Sequence, residues 1–363
     1  MAEPLKEMFN YSYYNELGRV FKLEYANFNE SEFLEQVMDS IENRSLNERL
    51  RFTTRTLQRQ LPSDFAAAVV ILNAVIVKMK IGYTNLIFPD YIAQFGESHF
   101  EISMKALALY TQYGSSEFAI RTFLEKDFSA TMQMMLQWSQ DENHHVRRLA
   151  SEGCRLRLPW AKIVPELSNN LDSIIAILEQ LREDSSEYVR RSVANNLNDI
   201  SKSNPEIVIA FAQKWMNTSP ITNSMLRHAC RTLLKQGNPE ILKLFELDAT
   251  LFEISDFTIE NSKVAIGDYL EFEFKVNNNS ELSAIARLEF AIHYLRQNNT
   301  QNKKVFKITD RQVDAKTSIT IRKKQSFKII TTRKFYPGIQ KISIIVNGQI
   351  KQTLEFTLCL KTY

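Results

Sequence analysis

Apolar residues return at three- and four-residue spacings through the first 250 positions, the period that lines one face of an α-helix. The pattern predicts helices over segments such as Glu32–Glu42, Leu46–Gln60 and Asp64–Lys80, with Ser63-Asp64 placed to cap the last before Phe65. Between about Leu247 and Asp256 the period changes. In Leu270-Glu271-Phe272-Glu273-Phe274-Lys275-Val276 the apolar side chains take every second site, as on a strand with one buried face. With the run Tyr269–Val276, further strands are predicted over Leu288–Leu295, Val305–Ile308, Ser318–Ile321, Phe327–Ile330, Gln340–Val346 and Thr353–Leu360. Turn signals separate them: Asn277-Asn278-Asn279-Ser280, Pro337-Gly338 and the hairpin-prone Asn347-Gly348. The expectation is a mainly α domain over residues 1–250 and an all-β, immunoglobulin-like sandwich over 251–363. Cys359 is the one cysteine in the second part, so no inter-sheet disulfide can staple it.

The helical part repeats itself. Asp141-x4-Val146-Arg147-Arg148 recurs as Asp184-x4-Val189-Arg190-Arg191, with looser echoes at Ile120-Arg121 and Leu226-Arg227. An acid five residues before Val-Arg, at a period near 40, is the mark of HEAT-type repeats, which stack helix pairs into an α-solenoid with an extended binding face. The Asp would complement the N–H groups at a helix start, the Val would enter the stack, and the Arg could reach an acid in a neighbouring repeat.

Charge changes the picture next. The net charge is only +3, but residues 301–363 hold 14 Lys and Arg against 3 Asp and Glu. Such asymmetry suggests a polyanionic partner for the C-terminal part, nucleic acid or an anionic membrane surface. The apolar stretch from Phe65 to Val77 is too short to span a bilayer, and the N-terminal residues lack the basic start and apolar run of a signal peptide. Three scattered cysteines (Cys154, Cys230 and Cys359) fit a reducing compartment. A soluble, cytoplasmic protein is expected, with no membrane partner.

Candidate chemistry concentrates between His144 and Trp160. Glu152 stands among Arg147, Arg148, Arg155 and Arg157, and the run closes on Pro159-Trp160. If the segment from Asp141 is helical, Arg148, Glu152 and Arg155 fall at i, i+4 and i+7 on one face. Arginine forks suit phosphate, and an acid among them repels the backbone they attract, which suggests an acid kept for chemistry on nucleic acid. The same residues would also make an Arg-Glu-Arg ladder on a solvated helix. His144 and His145 are adjacent, hence expected on different faces, and no neighbouring Cys or Asp completes a metal site. Gly-rich phosphate loops and Ser-His-Asp signatures do not occur.

Arg147-Arg148-Leu149-Ala150-Ser151-Glu152-Gly153 with Arg157-Leu158-Pro159-Trp160 resembles the AlkC branch of the bacterial DNA alkylation-repair glycosylases, relatives of AlkD. Ser115-Ser116-Glu117-Phe118-Ala119-Ile120-Arg121, the run Tyr188–Ile200 and Tyr336-Pro337-Gly338 match as well, and Cys154 is a conservative departure. The resemblance implies HEAT-like repeats, in long form with an immunoglobulin-like module. It implies excision of cationic alkylated bases, chiefly 3-methyladenine and 3-methylcytosine, from duplex DNA, with no metal or organic cofactor. It also implies that the lesion is approached without base flipping, unlike glycosylases in general. Such a base is already a good leaving group, so the protein must stabilise an oxocarbenium-like sugar and guide a water to C1′. Carried over by position, Glu117, Glu152 and Asp199 are the candidate carboxylates and Trp160 the aromatic wall beside the cation. Each has a plainer alternative: Glu117 pairing with Arg121, Glu152 in the ladder, Asp199 as a helix-terminal surface acid, Trp160 filling a gap between helix pairs.

For DNA binding, Arg148, Arg155, Arg190 and Arg191 are candidates. The 43-residue offset sets Arg191 beneath Arg148 and Asn195 beneath Glu152, giving one polar row. At the Val-flanking position of such repeats, Arg147 and Arg190 are more often rungs inside the repeat than DNA ligands. In the sandwich, Arg333-Lys334 precedes Phe335-Tyr336 and could enter a minor groove as a clamp, with Arg322-Lys323-Lys324 as a second basic group; lysines guarding an edge strand are the alternative. A monomeric, monofunctional glycosylase is expected; the rival is a non-catalytic HEAT scaffold for DNA or a protein partner.

Overall fold

The computed structural model describes residues 4–329 and 333–360. Helices extend from Tyr11 to Leu244 and strands from Phe252, so the change of architecture falls where the hydrophobic period changes. Compactness divides the chain slightly differently. One unit runs to Ser203 and includes Asn217–Ala229; the other comprises Asn204–Met216 and the chain from Cys230 onward.

In the first unit the helix ends are written locally. The helix Leu46–Gln60 covers the predicted segment and opens on a capping box between Ser45 and Glu48. Asp64 accepts from the Ala67 N–H at 2.8 Å and starts the helix Phe65–Ile76, which stops short of the predicted Lys80. The predicted helix Glu32–Glu42 runs instead over Glu30–Met38, because Ser40 turns left-handed at φ 52° and a short 3-10 turn follows. No single described helix is long and apolar enough to cross a membrane.

The repeat has the same geometry twice. Before the helix His144–Gly153, Asp141 accepts from the Asn143 N–H at 2.7 Å; before Glu187–Ile200, Asp184 accepts from the Ser186 N–H at 2.8 Å. Arg147 donates to the Asp141 and Glu142 carbonyls, and Arg190 to the equivalent Asp184 and Ser185 carbonyls. Arg147 also grips the Asp184 carboxylate with both arms of its fork, at 2.6 and 2.9 Å, and so links one repeat to the next. Val146, Leu149, Val189 and Val193 are buried between these elements.

In the second unit, two sheets make the β part. We number the strands β1 (Phe252–Ile259), β2 (Lys263–Ala265), β3 (Tyr269–Asn278), β4 (Ala284–Leu295), β5 (Gln301–Val313), β6 (Ser318–Ser326), β7 (Gly338–Val346) and β8 (Gln349–Cys359). One sheet has the order β1-β3-β6 and the other β2-β8-β7-β4-β5. Alternation sends Leu270, Phe272, Phe274 and Val276 of β3, with Leu288, Phe290 and Ile292 of β4, into a common core. Asn347 and Gly348, with φ 47° and 78°, make the tight β7–β8 turn whose positive dihedrals Asn-Gly tolerates. The expected strand Phe327–Ile330 does not form over Phe327–Ile329, and Ile330 lies outside the described residues. Phe327 is nonetheless fully buried: the apolar pattern marked core packing, not ladder pairing.

Candidate active site

The helix His144–Gly153 ends one residue before Cys154, so Arg155 lies beyond it and not on the helical face that spacing suggested. The departure is local. Gly153 comes so close to its neighbours that an added Cβ would sit 2.7 Å from Ile120 Cγ2, and the chain then leaves the helix as a loop. Arg155 still turns back, donating to Glu152 Oε1 at 2.6 Å from Nη1 and to Asp199 Oδ2 at 2.8 Å from Nε.

These contacts belong to a continuous row. Arg148 Nη1 donates to Glu117 Oε2 at 3.1 Å and to Ser115 Oγ at 2.9 Å, while its Nη2 lies 3.6 Å from Glu152 Oε1. Ser192 donates its hydroxyl to Glu152 Oε2 at 2.6 Å, and Lys202 Nζ donates to Asp199 Oδ1 at 2.8 Å. The order is therefore Glu117, Arg148, Glu152, Arg155, Asp199, Lys202, alternating in sign. Glu117, Glu152 and Asp199 are all buried. Burial opposes the charge on Arg148 and Arg155, but Glu117 and Glu152 at the first, and Glu152 and Asp199 at the second, outweigh it and raise both guanidinium pKa values.

Ion pairing at these depths is a poor source of stability, because desolvating each charge offsets most of the attraction. An apolar stack would hold the helices at least as well. The row makes sense as a fixed set of carboxylate oxygens in a dry setting, where they act strongly on a nearby developing cation.

Three of the plainer alternatives fail. Glu117 does not pair with Arg121: that side chain, only 2% exposed, donates instead to the carbonyls of Gly153, Arg155 and Lys162 at 3.1, 3.0 and 2.7 Å. It thereby pins both ends of the loop that carries Arg155 and Trp160. Trp160 fills no gap between helices, for it is 78% exposed, and its backbone is left-handed at φ 65°. Asp199 is no surface acid, though it does lie near the end of its helix. Ser115, which accepts from Arg148, and Trp160 both border a cleft of about 460 Å³.

The proposed DNA contacts divide. Arg148 and Arg155 are committed to the row, and Arg190 to its own turn, the rung role. Arg191 is exposed and pairs with Glu187 one turn earlier; Asn195 Oδ1 lies 3.2 Å from His228 Nε2. In the β unit Arg333 lies over the Tyr294 ring at 4.3 Å, while Lys334 is exposed near Tyr336. Phe335 packs against the sandwich core. Arg322 and Lys324 sit within β6, opposite Glu273 and Glu271 of β3, and pair with them; they guard an edge strand, as the alternative held.

Sequence reasoning missed Ser115 and Ser192 as partners of the row, along with Lys202, Arg121 and Tyr188. Lys202 follows Asp199 at helical i+3 spacing and could have been found. Tyr188 lies under the Arg148 guanidinium at 5.0 Å and beside both His144 and His145, whose rings touch at 4.2 Å despite their expected divergence. Ser192 and Arg121 meet their partners only through folding, across 40 and 32 or more residues.

A helical unit holding a buried acid-arginine row, joined to an immunoglobulin-like module, is the layout of a DNA-repair enzyme class. The family described as "DNA alkylation repair enzyme" matches residues 113–233, which contain the whole row. The C-terminal Ig-like domain described for the uncharacterised protein YhaZ matches residues 253–360. Over 357 residues the chain is 40% identical to the uncharacterized protein YhaZ of Bacillus subtilis (strain 168), spanning 98% of this chain and 99% of that one. It also superposes on the Pseudomonas fluorescens alkylpurine DNA glycosylase AlkC, solved bound to DNA containing an abasic site analog. That match has a TM-score of 0.94 and 35% identity, covering 98% of this chain and 100% of the other. The chain belongs to the AlkC family of DNA alkylation-repair glycosylases.

Proposed function

We propose that this protein is a monofunctional, cytoplasmic DNA glycosylase that removes cationic alkylated bases, 3-methyladenine and 3-methylcytosine, from duplex DNA without flipping them. It acts as a monomer built on HEAT-like repeats. The observation that carries the reading is the row of three buried carboxylates set between arginines, whose partner Ser115 borders the same cleft as the exposed Trp160.

An N-methylated base carries its positive charge before the reaction begins. When the C1′–N bond breaks, the bonding pair returns to the ring nitrogen and neutralises it, so no acid need protonate the base. The positive charge moves to the sugar as an oxocarbenium ion, where Glu117, Glu152 and Asp199 supply the opposing charge and one of them orients the attacking water. Water oxygen bonds to C1′, its proton leaves through a carboxylate, and the products are the free base and an abasic deoxyribose. Trp160 offers its π face to the cation. Because the chemistry is read at the sugar, the base can stay in the stack. Lys202 Nζ is engaged in donating to Asp199, which favours hydrolysis over a Schiff-base lyase step. Arg191, Asn195 and Lys334 contact the DNA backbone, and Arg333 steadies its segment against Tyr294.

The test is release of free bases from dimethyl-sulfate-treated duplex DNA, followed by chromatography, with strand breaks scored before and after alkali. Free 3-methyladenine and 3-methylcytosine, with breaks appearing only after alkali, are expected. Salt-sensitive DNA binding without base release would sink the enzymatic reading and leave the scaffold.

A further inference from the structure

The cleft bordered by Ser115 and Trp160 draws its lining from the helices Leu46–Gln60 and Ile87–Phe95, the start of Ile120–Lys126 and the loop that carries Trp160. Its charged lining is Arg51, Arg121 and Lys162 against one acid, Asp90. That acid is fully engaged: Oδ1 lies 3.1 Å from Arg51 Nη1, and Oδ2 accepts from Gln94 at 2.6 Å. It offsets one positive charge and leaves two. Lys162 is exposed and meets Glu125 at 3.4 Å, a surface pair of the kind that contributes little and exchanges readily.

Arg121 is the stronger sign. It is almost wholly buried, yet its hydrogen bonds go to the carbonyls of Gly153, Arg155 and Lys162, none to a carboxylate. Its Nη2 has no hydrogen-bond partner among the described residues, and Glu125 acts on it only through space. A buried cation without a bonded acid is costly, and buried charges are normally paired. An anion in the cleft that Arg121 lines would supply the opposite charge.

We infer that this cleft is an anion site that takes a backbone phosphodiester of the bound DNA. The inference rests on the proposed function for its partner, DNA, and not for base removal. A phosphodiester carries one negative charge on two free oxygens that only accept hydrogen bonds. The lining answers both properties, with a net positive charge and, from Asn47, Tyr83 and Thr122, further N–H and O–H donors. The apolar surface of Pro89 and Phe118 suits the deoxyribose carbons on either side of such a phosphate. The site is tied to the chemistry through the chain. Lys162 follows Trp160 by two residues on the loop that Arg121 pins, and Ser115 both lines the cleft and accepts from Arg148. A phosphate held here fixes the strand against the loop of the aromatic wall.

The experiment measures affinity of the full chain for abasic-site duplexes in which one linkage at a time is a neutral methylphosphonate, wild type beside Lys162→Gln. That variant is chosen because its side chain is exposed and its loss strands no buried charge, whereas Arg51→Gln would strand Asp90; a thermal melt checks its fold. At one linkage the neutral group should weaken wild type about tenfold and Lys162→Gln less than about twofold, the non-additivity of two groups in contact. Additive losses at every linkage would overturn the inference. Calorimetric titration with inorganic phosphate separates the other source of this chemistry: saturable binding lost in Lys162→Gln, with additive losses along the duplex, would reassign the cleft to a free phosphate. Base release from methylated DNA is read in parallel. A wild type that releases no base but shows the coupled linkage would fail the glycosylase reading and leave the phosphate site standing.

Discussion

Replacing Glu152 by Gln removes one negative charge from the centre of the row and almost nothing else. The geometry limits the collateral damage. Arg155 keeps Asp199 through Nε and Nη2, at 2.8 and 2.7 Å, and Arg148 keeps Glu117 at 3.1 Å, so neither arginine is stripped of a partner. Three carboxylates face Arg148, Arg155 and Lys202, and the variant tips that balance to an excess of one positive charge. A unit charge about 4 Å from a developing cation, at an effective dielectric constant near 20, is worth roughly 4 kcal/mol. That corresponds to a loss of about a thousandfold in the bond-breaking step. The cost in stability is about 1–3 kcal/mol for the altered hydrogen bonds. The assay is single-turnover release of free bases from methylated duplex DNA, with affinity for an abasic-site duplex and a thermal melt measured beside it. Affinity should hold or rise, since the row gains positive charge. Base release within about tenfold of wild type, in a variant that melts normally, would refute the reasoning and make the row a structural ladder.

Arg155→Met deprives Glu152 and Asp199 of their shared partner and strands two buried charges, and urea denaturation should show a loss of about 3–5 kcal/mol; a loss under about 1 kcal/mol would mean the two carboxylates are not held dry. Burial raises the Asp184 carboxyl, but Arg147 outweighs it and holds its pKa below the ordinary 3.8. A depressed folded value gives stability that is complete above the unfolded pKa and lost as pH falls through the folded one. The stability gap between wild type and Arg147→Ala should accordingly be constant near neutrality and narrow below about pH 4; a gap unchanged down to about pH 2 would contradict the ion-pair account. Arg191→Ala and Lys334→Ala should each reduce the slope of log K against log salt for duplex binding by about one. An unaltered slope would remove that residue from the DNA contacts.

Some of this molecule is legible along the chain because its causes are local. A capping side chain reaches only three residues ahead, so Asp64 and the helix after it could be read from order alone. Alternation of apolar sites set the core face of β3, and Asn347-Gly348 set a hairpin, for the same reason. The repeated Asp-x4-Val-Arg-Arg announced two equivalent helices, and both fold alike down to the carbonyls their arginines hold. Local signals fail where the chain doubles back. Phe327 looked like a strand residue because burial and ladder pairing leave the same apolar mark. The arginine run singled out Glu152, and Glu117 and Asp199 came only by resemblance to a family; tertiary packing alone joined the three through Arg148 and Arg155, with Ser192 supplied from another helix. Arg121 gave no sign in the sequence that it pins a loop more than thirty residues downstream. Charge complementarity acts through space over a few ångströms, and those distances exist only once the helices have packed.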